Sequence, residues 1–308
     1  MSASIIEHFG KLRDPRIERH KKHRLEDIIV LSICAVLSGA EGWEAIRQYG
    51  QAKLAWLRQF IPLAHGIPAD DTIARVISRL SAKGLQECFV SWVTAVSEAT
   101  EGSVVAIDGK TVRRSFDRSR GKRAIHMVSA WGSANGLVLG QLKTEEKSNE
   151  ITAIPKLLEM LEIKGCIVTI DAMGCQKEIA KQVIEQGGDY LLAVKGNQGT
   201  LEEAVVDFFE TAQAADFQGA PVDYYQDIDS GHGRIEVRRC WTSSDLSTLS
   251  HPEQWVGLTS IAMIESERHI GEQQSLERRY YITSLQSDAK QIAHAARGHW
   301  GVENTHLP

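Results

Sequence analysis

The sequence predicts a mixed α/β sheet preceded by an all-helical unit, and three features carry that prediction. Residues 102–107 (GSVVAI) form a short run of small and β-branched apolar residues, as in a strand buried on both faces. The run stops on Asp108, and Gly109 would let the chain turn away at once. Residues 165–170 (GCIVTI) repeat the device and stop on Asp171. Before residue 100 the apolar spacing is helical, and residues 222–283 are rich in strand formers. The expected boundaries are a helical domain over 1–100 and an α/β domain over 101–308, with a β-rich insertion at about 220–284.

The 308 residues suffice for one large domain or two ordinary ones, and 43% hydrophobic with 24% charged content is that of a soluble globular protein. The first residues lack the basic head and long apolar region of a signal peptide. The greasiest run, 28–37, is about half the length that crosses a bilayer, so no membrane partner is expected. Cysteines at 34, 88, 166, 175 and 240 form no CxxC pair, which points to reduced thiols and a cytoplasmic location. A net charge of −5 and a pI near 6.1 argue against a nucleic-acid binder on average. The positive charge is bunched, however. Residues 11–24 hold seven Lys/Arg against Asp14 and Glu18, and residues 110–123 hold seven against Asp117. Either run can be a solvated face or a phosphate-binding surface.

In order along the chain, residues 25–37 read as a buried helix ending near Gly39, and 43–60 as a second helix stopped by Pro62. Residues 66–72 form a turn in which Asp70 or Asp71 caps a helix through Ile73, Val76, Ile77 and Leu80. A last helix covers roughly 84–99. Beyond the first strand, 124–131 and 136–142 are two further strands, with Asn135-Gly136 as their hairpin turn. An amphipathic helix over 150–161 carries Pro155 in its first turns, where the missing N–H does least harm. After the strand that ends on Asp171 come a helix near 176–185 and a strand over 189–194, closed by Lys195-Gly196-Asn197. The insertion supplies strands at 222–225, 234–241, 255–263 and 278–283, and a final helix spans 288–304.

Three acids stand out by position: Asp108, Asp171 and, on the final helix, Glu303. If the two Asp-terminated strands are neighbours, both aspartates reach one sheet edge, and a helix across that edge can add Glu303. Converging carboxylates repel one another unless cations lie among them. An oxygen-rich, thiol-free set suits magnesium or manganese, and two such ions suit phosphoryl transfer. Other residues have plainer alternatives. Lys195 and Asn197 fit phosphate contact or an ordinary turn. His232 and Arg234 fit a site border, DNA contact or a turn. Trp131, Trp241, Trp255 and Trp300 fit the core, and Glu236 and Asp229 are weaker ligand candidates than Glu303.

Several motifs, in order, resemble the DDE transposases of bacterial insertion sequences, closest to the H-repeat-associated group: GIPADDT at 66–72, AIDGK at 106–110, TIDA at 169–172, AVKGNQ at 193–198, GHGR at 231–234 and RGHWGVEN at 297–304. The resemblance implies a ribonuclease-H-like catalytic core in which Asp108, Asp171 and Glu303 hold two Mg2+ or Mn2+ ions. It implies metal-dependent cleavage of double-stranded DNA at element ends, then attack of the freed 3′-hydroxyl on target DNA, and it admits a homodimer on DNA. The DNA contacts expected are Arg13, Arg16, Lys21, Lys22, Lys110, Arg113, Arg114, Lys195, Arg234 and Arg297. Related transposases often place an arginine one turn before the catalytic glutamate; that slot here holds His299, and Arg297 is expected to reach phosphate instead. Relatives continue the last helix well past the glutamate, whereas this sequence ends five residues after Glu303, so a frayed helix end and slow cleavage are expected. The alternatives are a non-enzymatic DNA-binding remnant of a transposase and another metal-dependent nuclease of the same fold.

Overall fold

The structure, a computed structural model, describes residues 5–17, 21–96, 103–111, 126–133, 136–144, 150–231, 234–271 and 273–304. It divides into two compact units, Met1–Glu98 and Ala99–Pro308.

The first unit is helical: α1 (Ile5–Phe9), α2 (Leu25–Leu37), α3 (Trp43–Ala52), α4 (Leu54–Leu57), α5 (Asp70–Ile77) and α6 (Ala82–Val96). Its core gathers Phe9, Ile28, Ile29, Leu31, Ile46, Leu57 and Ile73. The expected 25–37 helix is present, and Gly39 at φ 88° ends it while Ala40 N–H returns to the Ala35 carbonyl. The single helix expected over 43–60 is instead two, broken at Lys53, whose φ of −111° leaves the helical range. Neither Asp70 nor Asp71 is a cap. Ala69 holds that position, and the two acids lie in the first turn, where the helix dipole favours them.

The second unit is built on one nine-stranded mixed sheet, in the order β3-β2-β1-β4-β5-β9-β8-β7-β6. The strands are β1 (Val104–Thr111), β2 (His126–Gly132), β3 (Leu137–Thr144), β4 (Ile167–Ile170), β5 (Asp189–Val194), β6 (Val222–Gly231), β7 (Arg234–Ser243), β8 (Ser260–Ile270) and β9 (Gln273–Thr283). Helices α7 (Glu150–Leu158), α8 (Lys177–Glu185) and α9 (Gly199–Ala214) share one core with one face of the sheet. Helix α10 (Ala289–Asn304) packs on the other face, against Ile167, Leu191, Ala262 and Tyr281.

Several expectations change here. β1 does not stop at Asp108; it continues to Thr111 because β2 pairs with it antiparallel over the whole stretch. The strand expected over 255–263 begins at Ser260, and Trp255 instead fills the core beside a short 3-10 turn. Helix α7 ends at Leu158 rather than 161, with Pro155 in its second turn. Helix α9 was not expected at all. The β-rich region joins the central sheet, because β9 pairs with β5. Trp131 and Trp241 are buried as expected, while Asn135 and His232 lie outside the described residues.

Candidate active site

The two Asp-terminated strands are neighbours. β1 and β4 run parallel in the register Val104↔Ile167 through Ile107↔Ile170, so Asp108 and Asp171 directly follow the last matched pair. Adjacent strands lie about 4.8 Å apart, which sets the separation of the two backbones. Alternation fixes the face. Val105 and Ile107 on β1, and Val168 and Ile170 on β4, point into the core shared with α7 and α8. Asp108 therefore projects to the opposite face, the one covered by α10, and Asp171, one residue past β4, lines a cleft there with Thr169 and His299.

The site lies in a notch. β4 and β5 end at Ile170 and Val194, while β1 and β2 run on to one side. On the other side β9 leaves β5 at Val194↔Tyr280 but stays paired with β8 out to Ile270↔Gln273, so a ribbon of β6 to β9 projects past the edge. Within the notch a cleft of about 290 Å³ is lined by Thr169, Asp171, Lys195, Arg279, Ala296 and His299, among others.

The carboxylates are placed by short-range contacts. Asp171 Oδ1 accepts from the Gly174 N–H at 3.4 Å, in a 3-10 turn that begins at Ala172. Asp108 Oδ2 is 3.9 Å from Lys110 Nζ, two residues along the same face. Asn197 Nδ2 donates to the Ala172 carbonyl at 2.6 Å, tying the loop after β5 to the loop after β4, so its contact is structural. Lys195 is exposed at the mouth of β5. The donor set here is oxygen. Cys175 is fully buried, and burial pushes its thiol up to about 12, which keeps it a neutral thiol rather than a metal-ligating thiolate. Carboxylates of this kind fit a hard divalent cation such as Mg2+ or Mn2+. Among the described residues no group of three His, Cys, Asp or Glu could hold a metal ion, and the Glu303 side chain lies outside them, although its backbone belongs to α10.

Helix α10 is held close to this edge. A Cβ on Gly298 would lie 3.0 Å from Val104 Cγ1, so the bare glycine sets how near the helix comes to β1. One residue on, His299 Nδ1 is 3.0 Å from Thr169 Oγ1, two residues before Asp171. Arg297 differs from expectation: its guanidinium is engaged by Asp227 and Asp229, each at 2.7 Å, and joins α10 to β6. The same contacts occupy Asp229, and Glu236 pairs with Arg238 at 2.7 Å. Arg234 opens β7 far out on the ribbon. In the first unit Arg16 binds Asp14 through both oxygens, at 3.0 and 2.8 Å, and Lys21 Nζ is 3.6 Å from the same carboxylate. Arg13 and Lys22 are exposed, whereas Arg113 and Arg114 lie outside the described residues.

Three residues near the site were not among the expected set. Arg279 lies beside the cleft with its guanidinium 3.8 Å over the Trp300 ring. His299 lines it. Glu150, only 5% exposed, presses its carboxylate against Gly109, where a Cβ would meet it at 2.4 Å. Arg279 follows from the β5–β9 pairing and His299 from the packing of α10 on β4, neither of which sequence spacing reveals. A buried acid at a helix start carries no sequence signal beyond its place before an apolar run.

Comparison with known proteins identifies the family. The family described as "Transposase DDE domain" matches residues 99–306, and the one described as "DDE_Tnp_1-associated" matches residues 6–93. The chain is 44% identical over 98% of its length to the protein named "Putative transposase YncI" of Escherichia coli O157:H7, covering 78% of that protein. It is 45% identical over 97% of its length to "H repeat-associated putative transposase YhhI" of Escherichia coli strain K12, covering 80% of it. Among solved structures, the piggyBac transposase synaptic complex with hairpin DNA matches 97% of this chain and 62% of its own at 11% identity, and its TM-score of 0.39 is too low to support any argument. On the domain match and the identity to these relatives, the chain belongs to the DDE transposase family.

Proposed function

We propose that this chain is a DNA transposase with a ribonuclease-H-like core, in which Asp108, Asp171 and Glu303 carry the metal-dependent cleavage of DNA at element ends and the transfer of the 3′ strand. The observation that supports this reading best is the parallel register Ile107↔Ile170, which sets the two aspartates side by side on the face where α10 packs. Two Mg2+ or Mn2+ ions, when bound, would supply charge neutralisation at the phosphate and acidify the attacking hydroxyl. Asp108 and Asp171, carried on strands with buried cores, hold fixed positions as ligands. Lys195 and Arg279 border the cleft as cations for non-bridging phosphate oxygens. His299 fastens α10 to β4 and so fixes the helix that carries Glu303.

The test is divalent-ion-dependent nicking of supercoiled plasmid, and joining of a duplex with a free 3′-hydroxyl. The wild type should act with Mn2+ or Mg2+ and stop on chelation. Asp108→Asn and Asp171→Asn should each lose about two orders of magnitude or more in rate while still binding duplex DNA. Cleavage by either variant at the wild-type rate would overturn the site assignment. Duplex binding by the wild type without cleavage under any divalent ion would establish the DNA-binding remnant instead.

A further inference from the structure

The helical unit holds a cleft of about 620 Å³ between α5 and the segment that precedes α2. Lys22, His23, His65, Thr72, Arg75 and Arg79 line it, over an apolar floor that includes Ile67 and Val76, and among the described residues none that lines it is acidic. Arg75 lies on α5 and Arg79 in the turn that follows it, both exposed, and neither meets a carboxylate among the described residues. Neighbouring like charges repel, so the fold gains nothing from the pair itself. Arg16, which also lines the cleft, and Lys21 are different in kind, because Asp14 already pairs with both. His23 senses the excess of positive charge: burial, then Lys22, His65 and Arg16, lower its pKa from the usual imidazole value. Its ring meets that of His65 edge-on at 6.2 Å, which sets two more N–H groups at the rim.

We propose that this cleft is a phosphate-binding site for the backbone of duplex DNA, with Arg75 and Arg79 as its principal charges. The proposal rests on the reading of the chain as a DNA-acting protein, and it puts the principal charges at the end of α5 and the turn after it, facing the arm. The ligand chemistry is a phosphodiester oxyanion. Thr72 adds a neutral hydroxyl donor, and a contact to the phosphate backbone carries no sequence information.

Salt dependence tests it. Binding of the full chain to a labelled duplex of arbitrary sequence is followed by anisotropy between 50 and 200 mM salt, without divalent ions. Arg75→Gln with Arg79→Gln should reduce the slope of log affinity against log salt by about 1.8, at about 0.9 per phosphate contact. Arg75→Lys with Arg79→Lys should restore the slope, as a structural role for the arginines would not. Arg16→Gln with Lys21→Gln should change it by less than half as much. An unchanged slope in the double glutamine variant, while the wild type binds, overturns the cleft alone. Absence of any salt-sensitive binding by the wild type overturns both the cleft and the DNA reading. Binding of inorganic phosphate at the cleft with no effect of the variants on DNA would leave an anion site only and also overturn the proposal.

Discussion

Gly109 shows how one residue changes meaning between sequence and structure. After a buried strand it reads as a place to turn, yet β1 runs straight through it and its φ is not positive. What it provides is room: the Glu150 carboxylate occupies the space a side chain would take. Glu150 lies in the first turn of α7, where the helix dipole favours a negative charge and offsets part of its burial. Gly109→Ala should therefore destabilise the protein by about 1–3 kcal/mol through forced displacement of that carboxylate. In a Glu150→Ala background the same substitution should cost much less, with a coupling of about 0.5–3 kcal/mol. Urea denaturation of the four proteins measures this. An equal penalty in both backgrounds would mean that the glycine is needed for another reason.

At the scale of the element, α10 decides whether the third acid is held. Its approach to β1 depends on Gly298, its link to β4 on His299, and its link to β6 on Arg297. The Arg297 pairs are about half exposed, so their stabilising energy is small, but they span two elements whose relative position matters. Arg297→Ala should leave the melting temperature within a few degrees of wild type. It should also raise amide exchange several-fold in the last turns of α10 and lower the cleavage rate more than DNA affinity. Unchanged exchange and rate would show that Gly298 and His299 suffice. The ribbon strands obey a similar logic: register places Arg239 opposite Glu265, Glu265 opposite Arg278, and Asp227 opposite Arg238, so opposite charges meet across each ladder.

For the whole molecule, the apolar residues form separate cores in the two units. Domains with their own cores unfold as separate cooperative units unless a large interface couples them. Calorimetry should therefore resolve two transitions. Ile73→Ala, in the helical core, should lower one, and Leu157→Ala, in the sheet core, the other, each by about 2–5 kcal/mol in stability. A single transition that both variants shift alike would show the units to be coupled.

Much of this was legible in the chain. Apolar period, β-branched runs and their polar stops gave the helical first unit, the Asp108 and Asp171 strands and the β-rich region, because burial imposes its periodicity on local sequence. The order of motifs pointed to the DDE family. Short-range rules failed where distant partners competed: β2 carried β1 past Asp108, and Asp227 with Asp229 captured Arg297. The joining of β5 to β9, which adds Arg279 to the Asp171 cleft, and the packing of α10 on β4, which adds His299, were decided only by tertiary structure. Local sequence records which face of a strand is buried, whereas the partner across the ladder, nearly ninety residues away in the chain, is fixed by the pairing that satisfies the backbone and the core together.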